Sequence, residues 1–260
     1  MIRTEVNDGI ATVTLDRPHR LNALTWEMLR RLHDVINEAA SADDVRAMVL
    51  TGAGRAFCSG ADLLDFDAAA DDVGAVVEQR MLTTMTPVCQ ALLRARIPIV
   101  AAVNGPCAGG GLGLALLADI TIATRSAYFL VPQVASLGIA PDAGITWILA
   151  RHVGRARALG MCLTGERIDA EQAERWGLIW RCVDDTELLA QAGALATRLA
   201  STPEASVITR RLIDAASTTS AAEQLDEEAH AQRLLFGDPA VSANIARFAD
   251  RGGANRQRRG

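Results

Sequence analysis

The sequence predicts an α/β core followed by a helical C-terminal part. Three observations carry that reading. Short β-rich runs alternate with stretches of helical apolar periodicity through the first half of the chain. From Ala143 onward the pattern is mostly helical apart from Ile179–Val183, and 50% of the 260 residues are hydrophobic. A chain of that length and apolar content buries roughly 75% of its unfolded surface and needs no staples, which excludes disorder as a whole.

Taken in order, Ile2–Val6 and Ile10–Leu15 are β-rich and joined by Asn-Asp-Gly, a hairpin signal. Thr25 stands as an N-cap ahead of Met28, Leu29, Leu32, Val35, Ile36 and Ala39, an apolar stripe at helical spacing. That helix start lacks only the acid at the third position of a capping box. Met48–Leu50 reads as a strand running into the loop Thr51–Gly60. A helical stretch from about Val73 to Ala95 leads to a strand at Ile99–Val103, a glycine-rich turn and a helix to Ala118. Strand signals return at Ile120–Ala123 and Tyr128–Val131. No repeat and no linker divides the chain; the expected division is a core over residues 1–195 and a helical region over 196–260. Its last stretch, Arg251–Gly260, reads as a frayed basic tail.

Composition excludes several chemistries. All 26 basic residues are Arg, so Schiff-base aldolases, lysine-anchored pyridoxal enzymes and P-loop hydrolases, each needing an ammonium side chain, are removed. A net charge of -5 argues against nucleic acid as a partner. The five cysteines (Cys58, Cys89, Cys107, Cys162, Cys182) form no C-x-x-C pair and no metal-site spacing. With no apolar secretory core at the N-terminus, the expected location is the cytoplasm. Ile97–Ala118 carries no charge over a length that would span a bilayer. It is interrupted by Asn104-Gly-Pro and by Gly109, Gly110, Gly111 and Gly113, and so reads as strand, turn and helix; no membrane role is expected.

Two glycine-bearing loops each follow a buried strand: Ala56-Phe-Cys-Ser-Gly-Ala-Asp-Leu63 and Val103-Asn-Gly-Pro-Cys-Ala-Gly-Gly-Gly-Leu-Gly113. Consecutive glycines at a helix start leave backbone N–H groups uncovered, able to bind a phosphate or a developing oxyanion. A tight turn where strand and helix pack closely explains the same spacing, and spacing alone leaves both open. The dinucleotide fingerprint fails, because Leu114 fills the place of its final Gly. Asp142, in Leu137-Gly-Ile-Ala-Pro-Asp-Ala-Gly144, is either an N-cap or an acid available for catalysis. The four histidines, His19, His33, His152 and His230, are scattered without a nucleophile elbow. Cys58 and Cys107 read as small packing residues.

Together these segments resemble the enoyl-CoA hydratase/isomerase (crotonase) superfamily. The resemblance runs from Leu15-Asp-Arg-Pro-His-Arg-Leu-Asn-Ala-Leu24 to Phe248-Ala-Asp-Arg251, with the paired loops as its specific part. It implies a spiral of ββα units with a C-terminal trimerisation region. It also implies an oxyanion hole made by the N–H groups of Ala61 and Gly110 around a CoA thioester. CoA contacts would fall on Arg20, Ala23, Ala61, Asp62 and Leu63, with Arg251 reaching the nucleotide phosphates from a neighbouring subunit of a homotrimer or hexamer. No cofactor is implied, since coenzyme A enters as part of the acyl-CoA substrate.

The departures point to the chemistry. Hydratases of this family use two glutamates; at the first station this chain has Gly113, and at the second either Gln133 or Val134. Asp142 matches the acid of a subgroup that resembles the epoxyphenylacetyl-CoA isomerases. One carboxylate suffices to take a proton from one carbon and return it to another while a dienolate is held. The resemblance therefore implies an acyl-CoA isomerase with Asp142 as proton shuttle. The alternatives are an acyl-CoA hydrolase or dehalogenase with Asp142 as nucleophile, an enoyl-CoA hydratase with an atypical site, and a non-catalytic CoA-binding protein.

Overall fold

A computed structural model describes residues 1–66 and 71–257, with side chains described as far as Phe248. The chain divides into two compact units, Met1–Pro203 and Glu204–Gly260.

The first unit is built on a six-stranded sheet. β1 (Ile2–Asn7) and β2 (Ile10–Leu15) form the expected hairpin, with Asn7 opposite Ile10. Asp8 (φ 50°) and Gly9 (φ 76°) make the left-handed two-residue turn whose twist suits adjoining strands. α1 (Trp26–Ser41) crosses to β3 (Ala47–Gly52), and α2 (Val73–Arg80) and α3 (Thr86–Arg94) lead to β4 (Ile99–Val103). β5 (Cys107–Ala108) and α4 (Gly110–Leu116) follow, then β6 (Ile120–Thr124), β7 (Tyr128–Leu130), α5 (Ile145–His152) and α6 (Gly154–Thr164). β8 (Ile168–Asp169), α7 (Ala170–Trp176), β9 (Arg181–Val183) and α8 (Leu188–Ala200) complete the unit.

The main sheet runs β1-β2-β3-β4-β6-β9, parallel throughout except for the opening hairpin. Every residue of β3 and β4 is buried, as parallel strands covered on both faces require. Met48, Leu50, Ile99, Ala101 and Val103 face the main core with α1, α3 and α4. Their alternates Ala47, Val49, Val100 and Ala102 pack against Leu188, Ala192, Ala196 and Ala200, a helical stripe on α8. A second sheet, β5-β7-β8, carries the second glycine loop. β8, two residues long, gives no periodic signal and was not anticipated from the sequence.

Two details revise the expected elements. The helical stretch Val73–Ala95 contains a π-helical turn at Met81–Met85. Thr83 and Thr84 donate their hydroxyls to the carbonyls of Gln79 and Arg80, at 2.8 and 2.6 Å, which competes with the regular helical ladder. The tail expected to fray is helical as far as it is described: α9 (Pro203–Ala215), α10 (Ala221–Phe236) and α11 (Pro239–Gln257) follow in turn, α11 carries the helix through Gln257, and 258–260 lie outside the described residues. Propagating an existing helix gains a hydrogen bond for each residue fixed, which nucleating one does not. α10 opens on a capping box formed by Ser220 and Glu223. Among the described residues no helix is long and apolar enough to cross a membrane, and Ile97–Ala118 is divided among β4, β5 and α4.

Candidate active site

The first loop is held from below by Asn22, which is fully buried in a left-handed conformation (φ 56°). Its Nδ2 donates to the carbonyls of Ala53 and Ala56 at 2.9 and 2.8 Å, and its Oδ1 accepts the Arg17 N–H at 2.8 Å. Leu24 then pairs edge to edge with the loop: its N–H donates to the Gly60 carbonyl and its carbonyl accepts from Asp62 N–H, both at 2.8 Å. Ala61 lies between those two bonds, exposed, and its N–H has no acceptor among the described residues.

The second loop is laid against the first. Ala108 N–H donates to the Cys58 carbonyl at 2.9 Å, and Gly109 N–H donates to the Leu130 carbonyl at 3.0 Å. Gly109 sits at φ 50°, ψ -131°, a conformation open to glycine and costly for any other residue. A Cβ on Gly111 would fall 2.6 Å from the Cys58 Cβ and 2.8 Å from its carbonyl oxygen, so contact between the loops excludes a side chain there. Gly60 and Gly109, the residues immediately before the two expected donors, touch: a Cβ on Gly60 would be 3.5 Å from the Gly109 Cα. The Gly110 N–H, like that of Ala61, has no acceptor among the described residues.

Gly110 looks out on the residues that would surround a reacting group. A Cβ there would lie 3.0 Å from the Met85 Cε, 3.6 Å from the Leu24 Cδ1 and 4.0 Å from Asp142 Oδ1. Asp142 is thus the acid facing Gly110, and it is not a helix cap. The N-cap of α5 is Gly144, and the carboxylate accepts from Gln133 Nε2 at 3.3 Å and from its own N–H. Asp142 opens a tight turn in which Ala143 (φ 49°) and Gly144 (φ 78°) are both left-handed, closed by Ile145 N–H donating to the Asp142 carbonyl at 2.9 Å. The turn fits because Gly113 is bare: a Cβ there would stand 2.3 Å from the Ala143 carbonyl oxygen. Burial raises the pKa of Asp142 above its ordinary range, against the lowering effect of the Gln133 amide and of its own N–H.

Gln133, rather than Val134, is the side chain turned to this acid. It is buried at the start of a π-helical turn, Gln133–Leu137, while Val134 is half-exposed.

A second aspartate sits at the near end of the first loop. Asp62 is buried and receives Arg17 Nη2 at 3.0 Å, Arg20 Nη2 at 3.4 Å and the Leu64 N–H at 3.2 Å. Burial alone would raise its pKa, but the Arg17 bond, the Leu64 N–H and the two guanidinium charges outweigh it and hold the carboxyl below its ordinary range. Ala23 is buried with its carbonyl accepting from Arg17 Nη1 at 2.6 Å, while Leu63 is exposed. The structure thus groups Arg20, Ala23, Ala61, Asp62 and Leu63 at one corner and Gly110 and Asp142 beyond it. The Arg251 side chain and positions 67–70 lie outside the described residues.

Arg17, Asn22, Leu24, Met85 and Cys89 were not singled out from the sequence. Arg17 and Asn22 stand inside the Arg-Pro-His-Arg-Leu-Asn run, which was the available signal; Met85 and Cys89 looked like ordinary apolar helix positions. Cys58 and Cys107 are fully buried neighbours across an isolated bridge, and burial pushes the Cys58 thiol up to about 12. Among the described residues no three His, Cys, Asp or Glu side chains cluster as a metal site would need.

Comparison with known proteins gives the chain's relations. A model of the enoyl-CoA hydratase/isomerase family matches residues 5–256. A 1,2-epoxyphenylacetyl-CoA isomerase of Escherichia coli is 42% identical over 238 residues, covering 90% of this chain and 89% of that protein. A "Probable enoyl-CoA hydratase" of Rhodobacter capsulatus is 46% identical over 204 residues, covering 78% and 77%. The crystal structure of an enoyl-CoA hydratase from Polaromonas sp. JS666 superposes with a TM-score of 0.88 at 28% identity, covering 96% and 97%. Relatives named for isomerisation and for hydration stand side by side.

Proposed function

The chain belongs to the enoyl-CoA hydratase/isomerase family, and from that premise we propose that it is an acyl-CoA isomerase, with Asp142 as its proton shuttle. The observation that carries this reading is the acid wall. One carboxylate faces Gly110, and the residues at the stations where the resemblance would put a hydratase's two glutamates, Gly113 and Gln133 or Val134, carry no acid.

In this reading the thioester carbonyl accepts from the N–H groups of Ala61 and Gly110, both without a partner among the described residues. The Asp142 carboxylate removes a proton from one carbon, and the electron pair moves through the conjugated system onto the thioester oxygen. The resulting dienolate is stabilised by the two donors, each worth about 3–4 kcal/mol. The Asp142 carboxylic acid then returns the proton to a different carbon, and no atom is gained or lost. Burial, by raising the basicity of Asp142, suits it to both steps. Arg20, Ala23, Asp62 and Leu63 bind the coenzyme A portion, and Arg251 meets its phosphates from a neighbouring copy in a homotrimer or hexamer. The exposed apolar side chains Leu63, Leu64, Leu137 and Ile139, which flank the two walls in sequence, favour an apolar acyl group, unsaturated or ring-derived. Coenzyme A arrives with the substrate, so the reaction draws on no resident cofactor.

The test is product mass on a panel of unsaturated acyl-CoAs in deuterium oxide. Isomerisation yields a product of unchanged heavy-atom composition whose double bond has moved, read by proton NMR, with deuterium at the receiving carbon only in the measure that the Asp142 proton exchanges with solvent before its return. A product heavier by one water returns the chain to the hydratases, and an acyl ester trapped on Asp142 makes it a nucleophile. Acyl-CoA binding without turnover across the panel leaves a binding protein.

A further inference from the structure

Gln133 is the buried polar group that the reaction above leaves unused. Its side chain is 5% exposed, its Nε2 donates to Asp142 Oδ1 at 3.3 Å, and its Oε1 is buried with no partner among the described residues. The amide head also lies against Gly109: a Cβ there would be 3.5 Å from Nε2 and 3.9 Å from Cδ. It therefore sits between the residue preceding the Gly110 donor and the acid that faces Gly110. An orphaned buried carbonyl is unfavourable and calls for an explanation.

We propose that Gln133 is a positioning residue that follows the charge of Asp142: its Nε2–H donates to the carboxylate, and a half-turn of its amide presents Oε1 to the carboxylic acid O–H once Asp142 has taken the proton. The proposal rests on the shuttle reading, in which Asp142 passes through both protonation states in each turnover. A guanidinium in this place would favour the ionised acid throughout, and an aliphatic side chain would favour the neutral one. An amide carries a donor and an acceptor on one head, and its terminal torsion is broad and two-fold. Either orientation leaves one polar atom unpartnered, so the surroundings favour neither and the protonation of Asp142 decides. Of the groups packed around the acid, Cys89 on α3 is the other titratable one that couples to it among the described residues. Burial, and then the Asp142 charge, push that thiol up to about 12, which keeps it neutral. Arg17 and Arg20 are committed to Asp62.

The experiment follows the carboxyl directly. In substrate-free protein carrying 13C-labelled aspartate, with the Asp142 signal assigned by its absence in Asp142→Asn, the titration is compared between the native chain, Gln133→Met and Gln133→Glu. Kinetics of the three chains on an active acyl-CoA run alongside. Gln133→Met removes the donor, so the Asp142 titration moves to higher pH, and kcat falls roughly 10-fold or more with KM little changed. Gln133→Glu keeps a head that donates when protonated and accepts when ionised. The pair then titrates in two coupled steps, and kcat recovers relative to Gln133→Met in the window where one proton is shared. An Asp142 titration unmoved in Gln133→Met, or no recovery and no coupling in Gln133→Glu, overturns the proposal; the second variant decides alone should the first not fold. Undiminished turnover in Asp142→Asn overturns the isomerase reading instead, and the titration, which needs no substrate, still decides whether Gln133 answers to the charge of Asp142.

Discussion

Asp62, in the first loop, and Asp142, facing Gly110 of the second, are treated in opposite ways. Asp62 is surrounded by two guanidinium groups and a backbone N–H, which keep it charged. Asp142 has one neutral amide, its own N–H and an otherwise apolar setting of Met85 and Leu24 around the Gly110 face, and burial lifts its pKa. Two carboxyls with pKa values pushed apart is how a site keeps one acid charged and leaves another able to hold a proton. The difference also separates stability from function. A carboxyl whose folded pKa is depressed adds stability above its unfolded pKa, and that stability is lost as pH falls through the folded value. A carboxyl whose folded pKa is raised does the reverse. Its contribution is complete below the unfolded pKa and is lost as pH rises through the folded one.

The largest effect is expected at Asp142. Asp142→Asn should lower turnover by roughly 10²–10⁴ in steady-state kinetics. The same variant should melt at a higher temperature than the native chain at neutral pH, because a carboxylate held unfavourably has been replaced by a neutral amide. That advantage should disappear as pH falls below the ordinary carboxylate range. An Asn variant less stable at neutral pH would mean that the acid is held favourably after all, and the contrast with Asp62 would collapse.

Asp62→Ala should show the opposite pattern. Losing the Arg17 pair and the Leu64 N–H contact should cost about 1.5–3 kcal/mol at neutral pH, with the deficit shrinking on acidification as the native carboxyl protonates. Thermal melts across pH measure it. In kinetics the loss should fall on KM, through a displaced first loop, more than on kcat.

The two corners also differ in how much the sequence disclosed. The two glycine loops were legible because their geometry is set by the backbone. Glycines at Gly60, Gly109 and Gly111 are forced by left-handed φ or by approach within 3 Å of a neighbour, and such glycines stand out in a linear reading. The strand–helix order was legible for a similar reason, since buried parallel strands such as Ile99–Val103 are continuous apolar runs. The acid side was half hidden. Asp142 precedes a helix and looked like its cap; only the left-handed pair Ala143-Gly144, which moves the cap to Gly144, separates the two roles. Gln133 and Val134 were indistinguishable in one dimension because a π-turn shifts which residue faces inward. Arg17 was invisible as the partner of Asp62, since an ion pair across 45 positions leaves no local trace.

A smaller change tests whether the turn carrying Asp142 depends on the bare Gly113. Gly113→Ala places a methyl 2.3 Å from the Ala143 carbonyl oxygen, so the backbone of the turn must move. Overpacking of this kind costs about 1–3 kcal/mol. Activity should fall further than that loss of stability explains, because the displaced residue adjoins the acid. The Asp62 corner should be untouched, with KM little altered.

The smallest effect is expected for Ala143→Gly, and its value lies in combination. An L-residue in the left-handed region costs about 1–2 kcal/mol, which glycine removes. Glycine gives back about 0.5–1 kcal/mol through greater freedom in the unfolded chain, and the buried methyl takes a further ~0.8 kcal/mol with it. These nearly cancel, so the melting temperature should move by less than about 2 °C. Turnover should hold within about threefold, since the Ile145 N–H and the Gly113 contact still fix the turn. In the double variant with Gly113→Ala, the lost Ala143 methyl relieves the contact at 2.7 Å but leaves the carbonyl oxygen at 2.3 Å. The clash is with backbone, so Ala143→Gly should rescue little of the Gly113→Ala defect, and the coupling between the two changes should stay under about 0.5 kcal/mol. Substantial rescue would place the constraint in the Ala143 side chain and free the acid's turn from the glycine beneath it.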